Sequence, residues 1–355
     1  MTTFLPDSPG IATHRRMNPF LSVCIPVLNG SNYITEAIES VLCQTSRGWE
    51  LCISDNCSED ETKTICEGFA TRDARVRYSR SMIRISAGAN WDRAAKMARG
   101  TWFLMLGHDD LLDPVALASL QSTVPRHPSS RIIIANPLLI DAKGRPLKKQ
   151  GGVLRHFQDV KTLSTDAFLD LLVEGMVCAP TGMFFSRSLL DVFGGFRHDL
   201  RGCADYEFCL RVCAGGDVTV LAYALSSYRI HENQDVRTYV VNQEHDPELL
   251  QQCMMQYKHL NDTHRRQLMA NMVNSICRSV AFRIVEAGEQ TSIEIASYRR
   301  EVGRRIISWS RSSDVGRFLP KMYPSTFKLR CLWLLSSYSW LVVLIRPFAL
   351  LLKTK

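Results

Sequence analysis

Leu104-Met-Leu-Gly-His-Asp-Asp-Leu-Leu-Asp-Pro114 decides how the rest of the chain is read. The apolar run from Trp102 to Leu106 has the character of a buried strand. It stops at Gly107, His108, Asp109 and Asp110, and Asp113-Pro114 then reads as a helix start, with Asp as N-cap and Pro at the first helical position. Two adjacent carboxylates beside a histidine therefore stand where a strand leaves a sheet. In open α/β sheets ligands bind at that carboxyl edge. Grouped carboxylates there suit a hard divalent cation, and the cation suits a phosphate. Capping of the next helix by Asp109 and Asp110 is the plain alternative.

The stretches around it repeat one pattern. Residues 21–25 form a short apolar strand closed by Pro26. Ile34, Ala37, Ile38, Val41 and Leu42 then fall at helical spacing over residues 31–44. Residues 50–54 read as a second strand ending in Asp55-Asn56, and Ser58 with Glu61 gives a capping-box signature for a helix to about Phe69. A third strand is expected over 75–79, a helix over 90–98 stopped by Gly100, and a fourth strand over 101–106. This alternation predicts an α/β fold with a doubly wound, mostly parallel sheet and helices on both faces. Three strand ends carry polar residues able to meet one ligand: 26–29, 55–56 and 108–110. The turn after the first strand lacks both a GxGxxG and a P-loop Lys-Ser/Thr, which argues against a dinucleotide-binding domain or a P-loop.

Composition narrows the setting. The chain has 355 residues, 46% of them hydrophobic, enough for one large domain with an appendage or for two domains. Its 12 cysteines include no CxxC pair and alternate with aliphatic residues in strand-like runs, as reduced core residues do. Residues 1–18 hold no apolar run that would serve as a signal peptide. The net charge of +8 is concentrated at one end: from Arg299 onward 12 Lys/Arg face only Glu301 and Asp314. Residues 331–345 are an apolar run of 15 interrupted by Ser336, Ser337 and Ser339, short of the ~20 a span needs. Trp333, Tyr338 and Trp340 favour an interface, so the tail reads as a monotopic or re-entrant anchor on an anionic leaflet. Burial on the protein body and a true span are the alternatives. Nucleic-acid binding fits poorly, because long apolar runs break up the basic residues. An apolar stripe from Leu268 to Val285 predicts a packed helix.

In order and spacing, residues 21–29, Glu36-Ala-Ile-Glu-Ser-Val41, Gln44-Thr45, Glu50-Leu-Cys-Ile-Ser-Asp55 and Ser58-Glu-Asp60 resemble the opening of family 2 glycosyltransferases. These are inverting sugar transferases of the GT-A fold. The resemblance continues through Asn90, Gly100, Asp109-Asp110, Gly194-Gly-Phe196, Asp205-Tyr-Glu207, Leu210-Arg211 and Tyr228-Arg-Ile-His231. It implies a nucleotide-sugar donor, UDP-linked, and a Mn²⁺ or Mg²⁺ cofactor. It implies that Asp55 accepts the N3–H of the base, with Pro26 and Val27 lining the base pocket and Asn29 among the donor-binding residues. Asn90, His108, Asp110 and Arg229 would complete the donor site, Asp109 and His231 would hold the metal, and Asp205 would be the general base. A cap or turn is the alternative for Asp55, capping for Asp110 and Asp205, and a bystander role for His108. The sequence departs from the family at Gly107, where a first Asp is usual, and at Ala204, where Glu is common. Those departures keep open a catalytically inactive nucleotide-sugar-binding or scaffold protein.

The domain organisation that follows is an extension over 1–20, a GT-A domain over 21–235, a helical region over 236–320 and a membrane-associating tail over 321–355. The expected setting is the cytoplasmic face of the inner membrane, with a saccharide or lipid-linked saccharide of bacterial surface polysaccharide as acceptor and no nucleic-acid partner.

Overall fold

The computed structural model describes residues 19–147, 157, 159–173, 180–200, 204–231, 254, 256–265 and 267–268. The tail anchor lies outside them, as does the stripe beyond Leu268.

The first four strands are β1 (Leu21–Val27), β2 (Trp49–Asp55), β3 (Val76–Arg80) and β4 (Trp102–Met105), separated by α1 (Ile34–Leu42), α2 (Thr62–Arg72) and α3 (Ala87–Lys96). β1 pairs in parallel with β2 on one side and β4 on the other, and β3 adds in parallel beyond β2. Side chains alternate between faces along a strand. Leu21, Val23, Ile25, Leu51, Ile53 and Leu104 accordingly enter one core, while Cys24, Cys52, Phe103 and Met105 enter the other. With helices covering both faces, every residue of β1, β2 and β4 is buried, which is why these strands read as unbroken apolar runs. α1 buries Ile34, Ala37, Ile38 and Val41, the stripe expected from their spacing.

The second half is more mixed than a doubly wound pattern predicts. β5 (Leu111–Leu112), α4 (Ala116–Thr123), β6 (Ser130–Ala135), β7 (Leu138–Asp141), β8 (Lys161–Leu163), α5 (Thr165–Val173), β9 (Met183–Ser186), α6 (Ser188–Phe193), α7 (Ala204–Val212), β10 (Asp217–Leu221) and β11 (Ser226–Ile230) follow. The large sheet runs β3-β2-β1-β4-β9-β6-β10-β8, with β9 antiparallel to both β4 and β6. A small sheet, β5-β11-β7, stands beyond the end of β4.

Three local expectations change. Ser58 and Glu61 form no capping box, because the Ser58 hydroxyl accepts the Asn29 N–H at 2.9 Å and the N-cap position of α2 has no side-chain bond. Ser86 caps α3 by accepting from the Ala89 N–H, so that helix starts before Asn90. Asp113 caps a turn, accepting the Val115 N–H, and α4 begins two residues later than Asp-Pro implies.

Candidate active site

The carboxyl ends of β1 and β2 are level, with Val27 opposite Asp55, and β4 ends three residues earlier, with Met105 opposite Cys24. Beyond β1, the N–H groups of Asn29, Gly30 and Ser31 donate to Ser58, Thr62 and Asp60 side chains, each at 2.9 Å. That turn is closed onto the start of α2 and offers no free amide cradle for a phosphate. Burial acts upward on Asp60, but the bonds from Thr62 and Ser31 outweigh it and bring the carboxyl down to about 2. Asn29 is exposed, with positive φ, at the open side of the turn. The His108 ring packs against Gly30: a Cβ there would stand 2.6 Å from Val27 Cγ2 and 2.7 Å from His108 Cδ2, so a side chain would force one of them to shift.

After β4 the chain turns through residues 107–110, closed by the Asp110 N–H donating to the Gly107 carbonyl at 3.1 Å. Asp109 and Asp110 then part. Asp109 keeps its side chain 16% exposed and places Oδ2 2.9 Å from His231 Nε2 at the end of β11. Asp110 is 2% exposed: its Oδ1 accepts the Arg229 N–H at 2.9 Å, and its Oδ2 accepts the Thr181 hydroxyl. Burial, and then the neighbouring Asp109 charge, push its carboxyl up to about 7. Asp110 thus joins β11 and residues 180–182 to the turn; it neither caps a helix nor reaches toward a sugar. Gly107 sits beneath both carboxylates. A Cβ there would stand 2.6 Å from Asp110 Oδ2 and 2.8 Å from Asp109 Oδ1.

Arg229 has a different place from the diphosphate contact expected of it. It is 0% exposed, and its guanidinium donates to the Asp109 carbonyl at 2.7 Å, the Ala142 carbonyl at 3.2 Å and Glu36 Oε2 at 2.8 Å. These bonds tie β11, the Asp109 turn, the end of β7 and α1 together. Nor are Asp55 and Asn90 on the surface. Asp55 is 0% exposed, accepting from the Ser58 N–H at 2.8 Å and the Tyr78 hydroxyl at 2.6 Å, with Arg80 Nε 3.4 Å away. Burial and then the bond to Asp55 hold the Tyr78 hydroxyl protonated. Asp55 therefore braces the turn into α2 beneath any base pocket. Asn90, 4% exposed, clamps α3 to β2 by exchanging bonds with Ser54 at 2.7 and 3.0 Å. Pro26 and Val27 are buried as well, and the Val27 carbonyl already accepts the Asn56 N–H.

Asp205 stands in the first turn of α7, facing a pocket lined by Met105, Pro180, Met183, Phe185, Phe196 and Phe208. Loss of hydration in this apolar setting raises its carboxyl above the usual range, against a weaker bond from the Tyr206 N–H. Two residues further along α7, Glu207 is 0% exposed and pairs with Arg211 at 2.7 and 3.0 Å. Arg211 also donates to the carbonyls of Phe193, Gly194 and Gly195, holding the Gly-Gly step that ends α6. Pro180 lines the Asp205 pocket while the next residue, Thr181, bonds Asp110. The carboxylate in its pocket and the Asp109–His231 pair therefore border the same end of β4.

Sequence reasoning missed Tyr33, Glu36 and Thr181. Thr181 lies in an irregular segment without periodicity. Tyr33 and Glu36 sit on the solvent side of an amphipathic stripe, where nothing in the sequence marks a buried partner.

The donor set, one carboxylate and one imidazole, suits a first-row divalent cation such as Mn²⁺. A carboxylate oxygen and an imidazole nitrogen converge at a partly open position, leaving sites for water and phosphate oxygens. Among the described residues no group of three or more His, Cys, Asp or Glu side chains gathers to hold a metal by itself.

Comparison with known proteins agrees with the architecture. The chain is 33% identical over 197 residues to the uncharacterized protein y4gI of Sinorhizobium fredii, covering 54% of this chain and 20% of that one. It is 25% identical over 222 residues to an uncharacterized glycosyltransferase of Rickettsia typhi, covering 62% and 67%. It is 26% identical over 205 residues to a chondroitin synthase of Escherichia coli, covering 58% and 28%. The chain thus spans only a fifth of the first of these relatives. The fold matches S. aureus TarS 1-349, crystallised with UDP-GlcNAc, at a TM-score of 0.60 and 18% identity, covering 81% of this chain and 80% of that one. Residues 22–193 match the model of Glycosyl transferase family 2, and with a GT-A-like mixed sheet built on it, this segment of the chain belongs to that family.

Proposed function

We propose that the chain transfers a sugar, with inversion, from a UDP-linked nucleotide-sugar to a hydroxyl of a saccharide or lipid-linked saccharide. The observation that carries this reading is a raised-pKa carboxylate, Asp205, and an Asp109–His231 donor pair bordering one strand end. Asp109 and His231 would hold Mn²⁺ or Mg²⁺, which when bound supplies positive charge to the departing diphosphate. Asp205 takes the acceptor proton as that oxygen attacks the anomeric carbon and the bond to the diphosphate breaks. Its apolar pocket brings its pKa closer to neutrality, where a base is most effective. Asn29 and His108, on the open side of the β1 turn, contact the donor. Asp110, Arg229, Asp55 and Asn90 hold the frame from below. The basic, apolar tail over 321–355 brings the enzyme to the inner face of an anionic membrane, where acceptors of bacterial surface polysaccharide synthesis are embedded.

The test is a thermal-shift panel of nucleotide-sugars, including UDP-GlcNAc, each with and without Mn²⁺. The donor that protects is then offered to candidate acceptors, and release of nucleotide is followed. One UDP-sugar should protect, and only with metal. A panel in which no nucleotide-sugar protects, with or without metal, overturns the reading.

A further inference from the structure

Tyr33 and Glu36 open helix α1, and neither touches the Asp205 pocket. Both reach β11 instead. Arg229 and His231 are two residues apart, so they leave β11 on the same side. The Tyr33 ring covers both: the Arg229 guanidinium carbon lies 4.7 Å from its centroid, and the His231 ring centroid lies 4.8 Å away at an interplanar angle of 43°. Glu36, its side chain 52% exposed, reaches in to Arg229, whose side chain is 0% exposed. The same Arg229 guanidinium donates to the backbone carbonyl of Asp109. One wall of the metal pair is therefore the first turn of α1: Tyr33 backs the imidazole of His231 directly, and Glu36 fixes Asp109 through Arg229.

We infer that Tyr33 and Glu36 are positioning residues for the cation site, setting how tightly the Asp109–His231 pair binds metal without themselves contacting metal or substrate. The inference rests on the metal reading proposed above. Its physical basis is orientation. An imidazole attached by rotatable bonds donates best to a metal when its plane is fixed by a neighbour. Here no described hydrogen bond holds the other ring nitrogen, and the packed surface is the Tyr33 ring. Glu36 supplies the carboxylate for a buried guanidinium. Without it the Arg229 charge keeps carbonyl partners, and the shared anchor of β11 and the Asp109 turn loosens.

The test measures Mn²⁺ binding directly, by loss of the free-ion EPR signal on titrating full-length protein in the presence of UDP. Tyr33→Leu should weaken Mn²⁺ binding about tenfold, and Glu36→Gln by a smaller factor in the same direction. Tyr33→Phe should bind like wild type, since the ring and not the hydroxyl makes both contacts. In turnover, the Mn²⁺ concentration for half-maximal rate should rise in step, while the rate at saturating Mn²⁺ stays within about threefold of wild type. Mn²⁺ binding unchanged in both Tyr33→Leu and Glu36→Gln overturns the inference and leaves the metal reading intact. So does a Tyr33→Phe variant as weak as Tyr33→Leu, which would assign the hydroxyl to a ligand. A wild-type protein that takes up no Mn²⁺ with UDP overturns the metal reading and this inference together.

Discussion

His231 Nε2 lies 2.9 Å from Asp109 Oδ2, although 122 residues separate them. β11 brings them together by pairing antiparallel to β5 directly after the Asp109 turn. If this pair is the protein's share of the metal shell, Asp109→Asn removes its only carboxylate. Transfer should then fall at least ~10²-fold, about 2.7 kcal/mol in the barrier. Protection by UDP in a thermal scan should also lose its dependence on Mn²⁺. Wild-type turnover by Asp109→Asn at saturating metal would show that Asp109 does not hold the cation.

Asp205 gives a prediction with two signs. As a base it must be ionised, so turnover should fall as pH drops through its raised pKa, and Asp205→Asn should lose roughly 10²–10⁴ in rate above that pKa, the gap narrowing below it. For stability the direction reverses. An acid whose folded pKa is raised favours the folded state below its unfolded pKa of about 3.9, and that contribution is lost as pH rises through the folded value. At pH 7 the wild type thus carries a charge its pocket disfavours, and Asp205→Asn should melt at the same temperature or higher. The difference should vanish near pH 4. A variant that melts lower at pH 7 would assign Asp205 a structural task instead.

Much of the first half of the fold was legible because its physics is local. The stripe Ile34, Ala37, Ile38, Val41 and the fully buried β1, β2 and β4 declare themselves by period. The second half was not, since β9 inserts antiparallel between β4 and β6, and a two-residue strand such as β5 has no period. At the site, the pattern placed Asp109 at a strand end and the family resemblance added His231 and Asp205, but neither could separate surface from interior. Arg229, Asp55 and Asn90 are polar residues in motif positions, yet each is buried and bonded to its own protein. Burial depends on what distant segments do, and a one-dimensional pattern does not carry that.

The tail offers a test independent of the site. Its six Lys/Arg over 321–355 and the 15-residue apolar run should act together, each basic residue near an anionic leaflet adding about 1 kcal/mol. No helix among the described residues is long and apolar enough to cross a membrane. A chain ending at Arg317 should remain in the supernatant with anionic vesicles and still bind UDP, whereas the full chain should pellet and be released partly by salt and fully by detergent. Loss of UDP binding on truncation would mean that the tail completes the catalytic body.

Gly107 allows the sharpest separation of sequence logic from packing logic. Its place in the motif belongs to a carboxylate in most of the family, so Gly107→Asp looks like a repair that should strengthen metal binding. The structure predicts the opposite. The φ of Gly107 lies outside the left-handed region, so backbone conformation does not require glycine; the conflict is one of space. A Cβ would meet Asp110 Oδ2 at 2.6 Å, and that oxygen cannot retreat easily, because Asp110 is 2% exposed and bonded to Thr181 and the Arg229 N–H. Asp109 Oδ1, 2.8 Å away, is freer, but its movement turns Oδ2 away from His231. Overpacking of this kind costs about 1–3 kcal/mol, and a third carboxylate adds repulsion to a site already holding two. Gly107→Asp should therefore melt several degrees lower than wild type and turn over more slowly, at low and at saturating Mn²⁺ alike. An equal or higher melting temperature together with a lower Mn²⁺ requirement would mean that the turn over residues 107–110 relaxes freely, and that the glycine marks a lost ligand instead of a packed one.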